Sequence, residues 1–231
     1  MKRAQLFLAV LAFATSLPQL AAQQPAKSAS ATRSAPGSCG PLVESMLRCP
    51  RFGFTYRTTV GWVDRTDDMQ PEAESQDPES ERAESDRPEA GASNPRGSQS
   101  ETLLAVFERP PAAPGDTINS AVVIVAESLA DYHGIKTASD YFGPISELAE
   151  QRGFKVENEP HAVSIGTRKL VRGDFSKDRG KVTMWQSSLV MIEKGYVVSF
   201  TFVGGSEGEV EELIGNLSFG MRAPAPQGPR K

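Results

Sequence analysis

The sequence is poor in the residues that most often carry chemistry. Its 231 residues include only two cysteines, two histidines and two tryptophans, and aromatic side chains make up 7%. His133 and His161 stand far apart in turn-like contexts, so their spacing offers neither a metal centre nor an acid–base pair. No G-x-S-x-G elbow exists to activate a serine. Gly204-Gly205-Ser206-Glu207-Gly208 lies where phosphate loops occur, between an expected strand and helix. The carboxylates of Glu207, Glu209, Glu211 and Glu212 would repel an anion there, so the stretch reads as a helix cap. Arg172-Gly173-Asp174 falls within an expected strand, the wrong setting for a recognition tripeptide, and Asn216-Leu217-Ser218 reads as a chance sequon. No catalytic residue, metal ligand or cofactor is expected.

Long apolar runs are scarce as well. The longest, residues 6–17, follows Lys2 and Arg3 and is itself followed by Pro18 and a polar stretch. That order is a secretory signal peptide, too short to span a bilayer comfortably, with cleavage expected after Ala22. No second run approaches ~18 apolar residues, so no transmembrane anchor is expected after cleavage. Residues 23–38 are Ala, Ser, Pro and Gln with few charges and read as a disordered linker. Residues 221–231, rich in proline, read as a disordered tail.

Residues 66–101 lack every aromatic and β-branched apolar side chain. They carry 11 carboxylates against three arginines, a net charge of −8 in a chain of −4. The remainder is therefore mildly basic, and this segment reads as a disordered acidic insertion, either solvated chain or a docking element for a basic partner. Lengthening a connection to some 30 residues costs only about 2 kcal/mol of closure entropy, so a fold can carry it. One domain, residues 39–220 with this insertion, is expected.

With a signal peptide ahead of them, Cys39 and Cys49 reach an oxidising compartment and are expected to pair. Such a bridge would fold residues 40–48, read as a short helical turn, back against the first strand. A catalytic thiol would need a neighbouring base, and a metal would need further ligands; neither is at hand.

Along the chain, Phe52, Phe54 and Tyr56 alternate as in a half-buried strand. Residues 60–63, with Trp62 as a core anchor, and 103–109 read as further strands. The nearly continuous β-branched run 120–128 reads as a strand buried on both faces. Thr137 and Asp140 resemble a capping box ahead of a helix with apolar positions Tyr141, Ile145, Leu148 and Ala149, which Gly153 ends. Gly143-Pro144 should kink or split that helix. Residues 154–157, 162–165 and 167–175 read as strands. Residues 181–204 form a hairpin turning at Lys194-Gly195, with Glu193 opposite Tyr196. That register puts Leu189, Met191, Tyr196, Val198, Phe200 and Phe202 on one face, fit to pack under helices. Ser206 and Glu209 form a capping box for a last helix with the stripe Val210, Leu213, Ile214 and Leu217. The expected class is α+β: an antiparallel sheet of about six to seven strands packed between two main helices.

The order of these segments resembles the PsbP-like superfamily, which takes in Mog-type proteins, PsbP subunits of photosystem II and bacterial DcrB-like exported proteins. The resemblance rests on FGFTYRTTVGW, LLAVFER, KTASDYF, IGTRKLVRGDF, GYVVSFTF and SEGEVEELIGNLSF, a little over half of the chain. It implies an antiparallel sheet between helices and a non-enzymatic role in binding other proteins. The cysteine pair, the acidic insertion and Pro144 depart from that pattern, and no residues match PsbP-type metal or photosystem sites.

The most suggestive surface in the sequence is the basic stretch Arg168, Lys169, Arg172, Lys177, Arg179 and Lys181. It reads either as an edge strand protected by charge or as a contact for an acidic partner or anionic headgroups, with the acidic insertion an intramolecular candidate. Nucleic acid is not expected of an exported, acidic protein without a series of aromatic residues among these charges. The sequence thus points to an exported protein of the periplasm or extracellular space. It is expected to bind another envelope or secreted protein as an adaptor, assembly factor or chaperone-like module. The alternative is a carrier of a small apolar or lipidic ligand in a cleft between sheet and helix.

Overall fold

The computed structural model describes residues 39–71, 100–110, 113 and 115–220. The expected signal peptide, linker and C-terminal tail lie outside the described residues, as does most of the acidic insertion. Ten strands and two α-helices follow in order: β1 (Met46–Cys49), β2 (Phe54–Arg57), β3 (Val63–Asp64), β4 (Ser100–Phe107), β5 (Ala121–Ser128), α1 (Phe142–Gln151), β6 (Lys155–Ile165), β7 (Arg168–Arg179), β8 (Val182–Glu193), β9 (Tyr196–Gly204), α2 (Glu207–Gly215) and β10 (Leu217–Phe219).

Seven strands make one antiparallel sheet in the order β3-β4-β5-β9-β8-β7-β6. Its centre is the expected hairpin, with Glu193 opposite Tyr196 and Leu189 opposite Phe200. Lys194 and Gly195 both take positive φ, +52° and +80°, as a two-residue hairpin turn requires. β5 pairs with β4 on one side and β9 on the other, and all but the last of its residues are buried, as its β-branched run predicts.

The two faces of the sheet carry different roofs. On one, Leu189, Met191, Val198, Phe200 and Phe202 meet Val210, Leu213 and Ile214 of α2. On the other, Val190, Val197 and Phe175 meet Tyr141, Phe142, Ile145 and Ala149 around α1. The helix of the β5–β6 connection therefore crosses one face while the last helix covers the opposite one. The architecture is α+β, a seven-stranded antiparallel sheet between two helices. Among the described residues no helix is long and apolar enough to cross a membrane.

A second sheet, β1-β2-β10, rides on the α2 face. Its inner side chains Leu47, Cys49, Phe54, Tyr56 and Leu217 join the main core, and the Phe54 ring meets Phe200 edge-on at 5.1 Å. This region departs from the sequence-based expectation. Residues 40–48 are no helical turn but a hairpin, in which Val43 and Met46 exchange backbone bonds across Glu44 and Ser45. Phe52 is buried in the turn between β1 and β2 rather than in a strand.

Three further expectations shift. Thr137 and Asp140 do exchange hydrogen bonds, but they close a turn one step before α1. The helix begins at Phe142, so Pro144 sits in its first turn, where an N–H has no intrahelical partner, and the expected kink does not arise. The two strands expected at 154–157 and 162–165 are one irregular strand, β6, which starts at Lys155 and shifts register beside Asn158. β6 is also the outermost strand, so β7 with its basic residues is not an edge.

The ends of the expected insertion are structured. Residues Asp67–Met69 form a 3-10 turn, and Ser100 and Glu101 already belong to β4. The Gln70 side chain donates to the Thr102 carbonyl at 2.8 Å and accepts from its N–H at 3.2 Å, while Thr102 Oγ1 donates to the Met69 carbonyl at 2.6 Å. The two ends are thereby clamped together at the rim of the sheet.

Candidate functional site

Alternation along β7 and β8 places Arg172, Asp174 and Ser187 on the α2 side of the sheet, beyond the point where the helix covers it. A cleft of about 320 Å³ opens there, with Asn158 and Trp185 on the sheet side and Glu207 and Glu211 on the first turns of α2. Asp174, 7% exposed, is the hub. It accepts from Arg172 Nε at 2.8 Å, from Asn158 Nδ2 at 3.2 Å and from the Ser187 hydroxyl. Arg172 Nη2 donates to Ser187 Oγ at 3.1 Å and reaches Glu211 on α2. Burial pulls the Arg172 guanidinium down, but its bonds to Glu211 and Asp174 outweigh this and leave it raised and charged.

The six basic residues singled out from the sequence do not share one surface. Arg168 and Arg172 face the α2 side. Arg168 is paired with Glu193 at 2.8 Å and lies 5.9 Å from the centre of the Phe219 ring. Lys177 faces the α1 side, where it donates to the Arg152 carbonyl and lies 5.5 Å from the centre of the Phe154 ring. Lys169, Arg179 and Lys181 are exposed, and none enters an ion pair among the described residues. Glu193 at the end of β8 neutralises Arg168, and Glu211 of α2 joins Asp174 on Arg172, so a count along β7 alone overstates the charge.

Cys39 and Cys49 are joined as a disulfide. It anchors the start of the domain to β1, and Gly40 N–H bonds the Arg48 carbonyl at 3.0 Å beside it. His133 and His161 are both exposed; the latter lies opposite Arg172 in β6, its Nδ1 2.9 Å from the Glu159 carbonyl oxygen. Ser206 caps α2, accepting from Glu209 N–H at 3.1 Å, while the Glu209 carboxylate accepts from Gly205 N–H and the Ser120 hydroxyl.

Two groupings are not foreseen from the sequence. Asn158, Trp185 and Ser187 complete the cleft; the available signal is the polar pair Arg172 and Asp174 on a strand face that also carries the core residue Leu170. On the α1 side, Glu127 is buried at 3% exposure and accepts from the Tyr132 hydroxyl at 2.6 Å and from Tyr141. Burial and the facing carboxylate push both phenols well up, so they remain donors. A lone Glu at the end of a β-branched run marks the first member, and nothing in sequence joins it to the tyrosines.

No protein-family model matches the chain, and no curated protein sequence matches it. Similar solved structures include cyanobacterial PsbP (CyanoP) from Synechocystis sp. PCC 6803. It is 12% identical, with a TM-score of 0.42, over 79% of this chain and 98% of that one. A second is a Pseudomonas aeruginosa protein of unknown function, PA94, described as a putative regulator, 16% identical with a TM-score of 0.32 over 55% and 78% of the two chains. A third is LpqN of Mycobacterium tuberculosis, involved in cell envelope biogenesis, 14% identical with a TM-score of 0.29 over 51% and 72%. Identities this low carry no residue role across.

Proposed function

We propose that the chain is an exported, non-enzymatic protein-binding module, an adaptor, assembly factor or chaperone-like protein of the cell envelope. The observation that carries this reading is the state of Asp174. Its carboxylate is occupied by three donors held within the fold: the Arg172 guanidinium, the Asn158 amide and the Ser187 hydroxyl. The oxygen of the neighbouring Ser187 hydroxyl accepts from Arg172 Nη2 at 3.1 Å, which engages a lone pair that a nucleophile would use. This polar cluster links α2 to the sheet through Arg172 and Glu211, and its members are bonded to one another. The cleft it lines is charged, which suits a polar side chain of a partner better than an acyl chain. The Cys39–Cys49 bond supports export, since such bonds persist in oxidising compartments.

The test is affinity capture from envelope extracts with the chain beginning at residue 23, with and without residues 72–99. A stoichiometric partner recovered reproducibly is expected. Turnover by the purified chain that disappears in Ser187→Ala, with no partner recovered, would overturn the proposal.

A further inference from the structure

The outward face of the small sheet is defined by its register. Leu47, Cys49, Phe54, Tyr56, Leu217 and Phe219 point to the core, so Met46, Arg48, Thr55, Arg57 and Ser218 point away from it. Arg48 lies opposite Thr55 and Arg57 opposite Met46, which makes the arginines diagonal neighbours with Cα atoms about 7–8 Å apart. Both are exposed, no carboxylate shares this face, and neither enters an ion pair among the described residues. This contrasts with Arg51, Arg168 and Arg172, each of which has a carboxylate partner. Beside the arginines, Thr55, opposite Arg48, and Ser218, opposite Thr55 on β10, have their hydroxyl oxygens 2.7 Å apart.

The apolar surface gathers at the same end. The exposed large apolar side chains among the described residues are Val43, at 59%, and Val60, at 86%. Val43 bonds Met46 within the β1 hairpin, and Thr58 N–H bonds the Ser45 carbonyl at 2.8 Å, which brings the turn bearing Val60 against that hairpin. The disulfide at Cys49 and the buried inner side chains hold this platform rigid, so little side-chain or backbone ordering opposes binding.

We infer that the outer face of β1-β2-β10 is the docking surface for an acidic segment of a partner protein. Arg48 and Arg57 grip carboxylates, the Thr55–Ser218 hydroxyl pair offers its one remaining proton beside them, and Val43 and Val60 supply the apolar contact. This rests on the reading of the chain as a protein-binding module. The geometry favours a protein over a membrane. The platform is a flat sheet with two short valines, which cannot reach the depth of about 5–10 Å that interfacial insertion requires.

The chain beginning at residue 23 is titrated into a fluorescent peptide of alternating Glu and Ser, with anisotropy followed at low and physiological salt. Binding that weakens with salt is expected. Arg48→Glu with Arg57→Glu should reduce affinity by about tenfold or more, while Lys169→Glu with Lys181→Glu changes it less than about twofold. Val43→Ser with Val60→Ser should cost about threefold. All substituted side chains are exposed, and unchanged near-ultraviolet circular dichroism verifies the fold. Equal affinity in the arginine and lysine variants, or no peptide binding at all, overturns the inference. So does arginine-dependent binding to phosphatidylglycerol-containing vesicles without peptide binding, which would transfer the surface to a membrane. If a partner is captured from extracts and the arginine variant captures it equally, this surface fails while the binding-module reading stands.

Discussion

Gly173 in β7 lies directly beneath the first turn of α1. A Cβ built there would stand 2.6 Å from Cε1 and 3.0 Å from Cδ1 of the Phe142 ring. Ordinary carbon contacts begin near ~3.5 Å, so Gly173→Ala forces the ring back by about 1 Å. Phe142 has little room to retreat, being 1% exposed and packed with Tyr141, Ile145 and Phe175. Overpacking of this kind costs about 1–3 kcal/mol. In a domain of this size a cost of about 2 kcal/mol lowers Tm by about 6–8 °C. The cost belongs to the pair, not to the glycine. Phe142→Ala alone should cost about 3–5 kcal/mol through the cavity it leaves. In that background Gly173→Ala should become neutral or stabilise by up to about 1 kcal/mol, because alanine loses less backbone entropy on entering a strand. Urea denaturation of the four proteins gives the coupling directly. If Gly173→Ala costs the same with and without the ring, the close approach of α1 to β7 does not set the residue, and steric coupling between the two is refuted.

Other outcomes follow from the same contacts. Replacing Cys39 and Cys49 by serine should cost about 2–3 kcal/mol on the chain-entropy model, and reductant should lower the Tm of the parent to match. Arg172→Ala leaves the nearly buried Asp174 without its cation and should cost about 2–4 kcal/mol by denaturant titration; an unchanged midpoint would show that the cluster does not hold α2. Asp140 has its pKa lowered by the N–H groups of Lys136 and Thr137. Its contribution to stability is therefore complete above the unfolded value near ~3.9 and is lost as pH falls through the lower folded one. Asp140→Asn should flatten the pH dependence of Tm in that acid range.

The hairpin of β8 and β9 is legible in the sequence because turn chemistry and period-two alternation agree at Lys194-Gly195, and tertiary packing follows the same alternation. α2 is legible through Ser206 and Glu209. The N-terminal hairpin is not, because residues 41–48 have helix-forming side chains and their turn uses Glu44 and Ser45 at φ +49° and +59°, values that neither residue advertises. Pro144 misleads for a related reason. The Thr137–Asp140 box looks like a helix start, which puts the proline a turn too far inside. For the site, local counting fails because charge is cancelled across the fold. Glu193 and Glu211 are distant in sequence from the arginines they neutralise. Arg48 and Arg57, by contrast, sit on four-residue strands too short to announce themselves.

The clamp between Gln70 and Thr102 bears on how this protein can be handled. The Gln70 side chain donates to the Thr102 carbonyl and accepts from its N–H, closing a collar at the sheet rim through which a longer chain passes at little added closure entropy. The chain between 71 and 100 is therefore a socket. A fluorescent protein, an affinity handle or a second binding domain with closely spaced ends can be spliced there, away from the arginine-bearing platform.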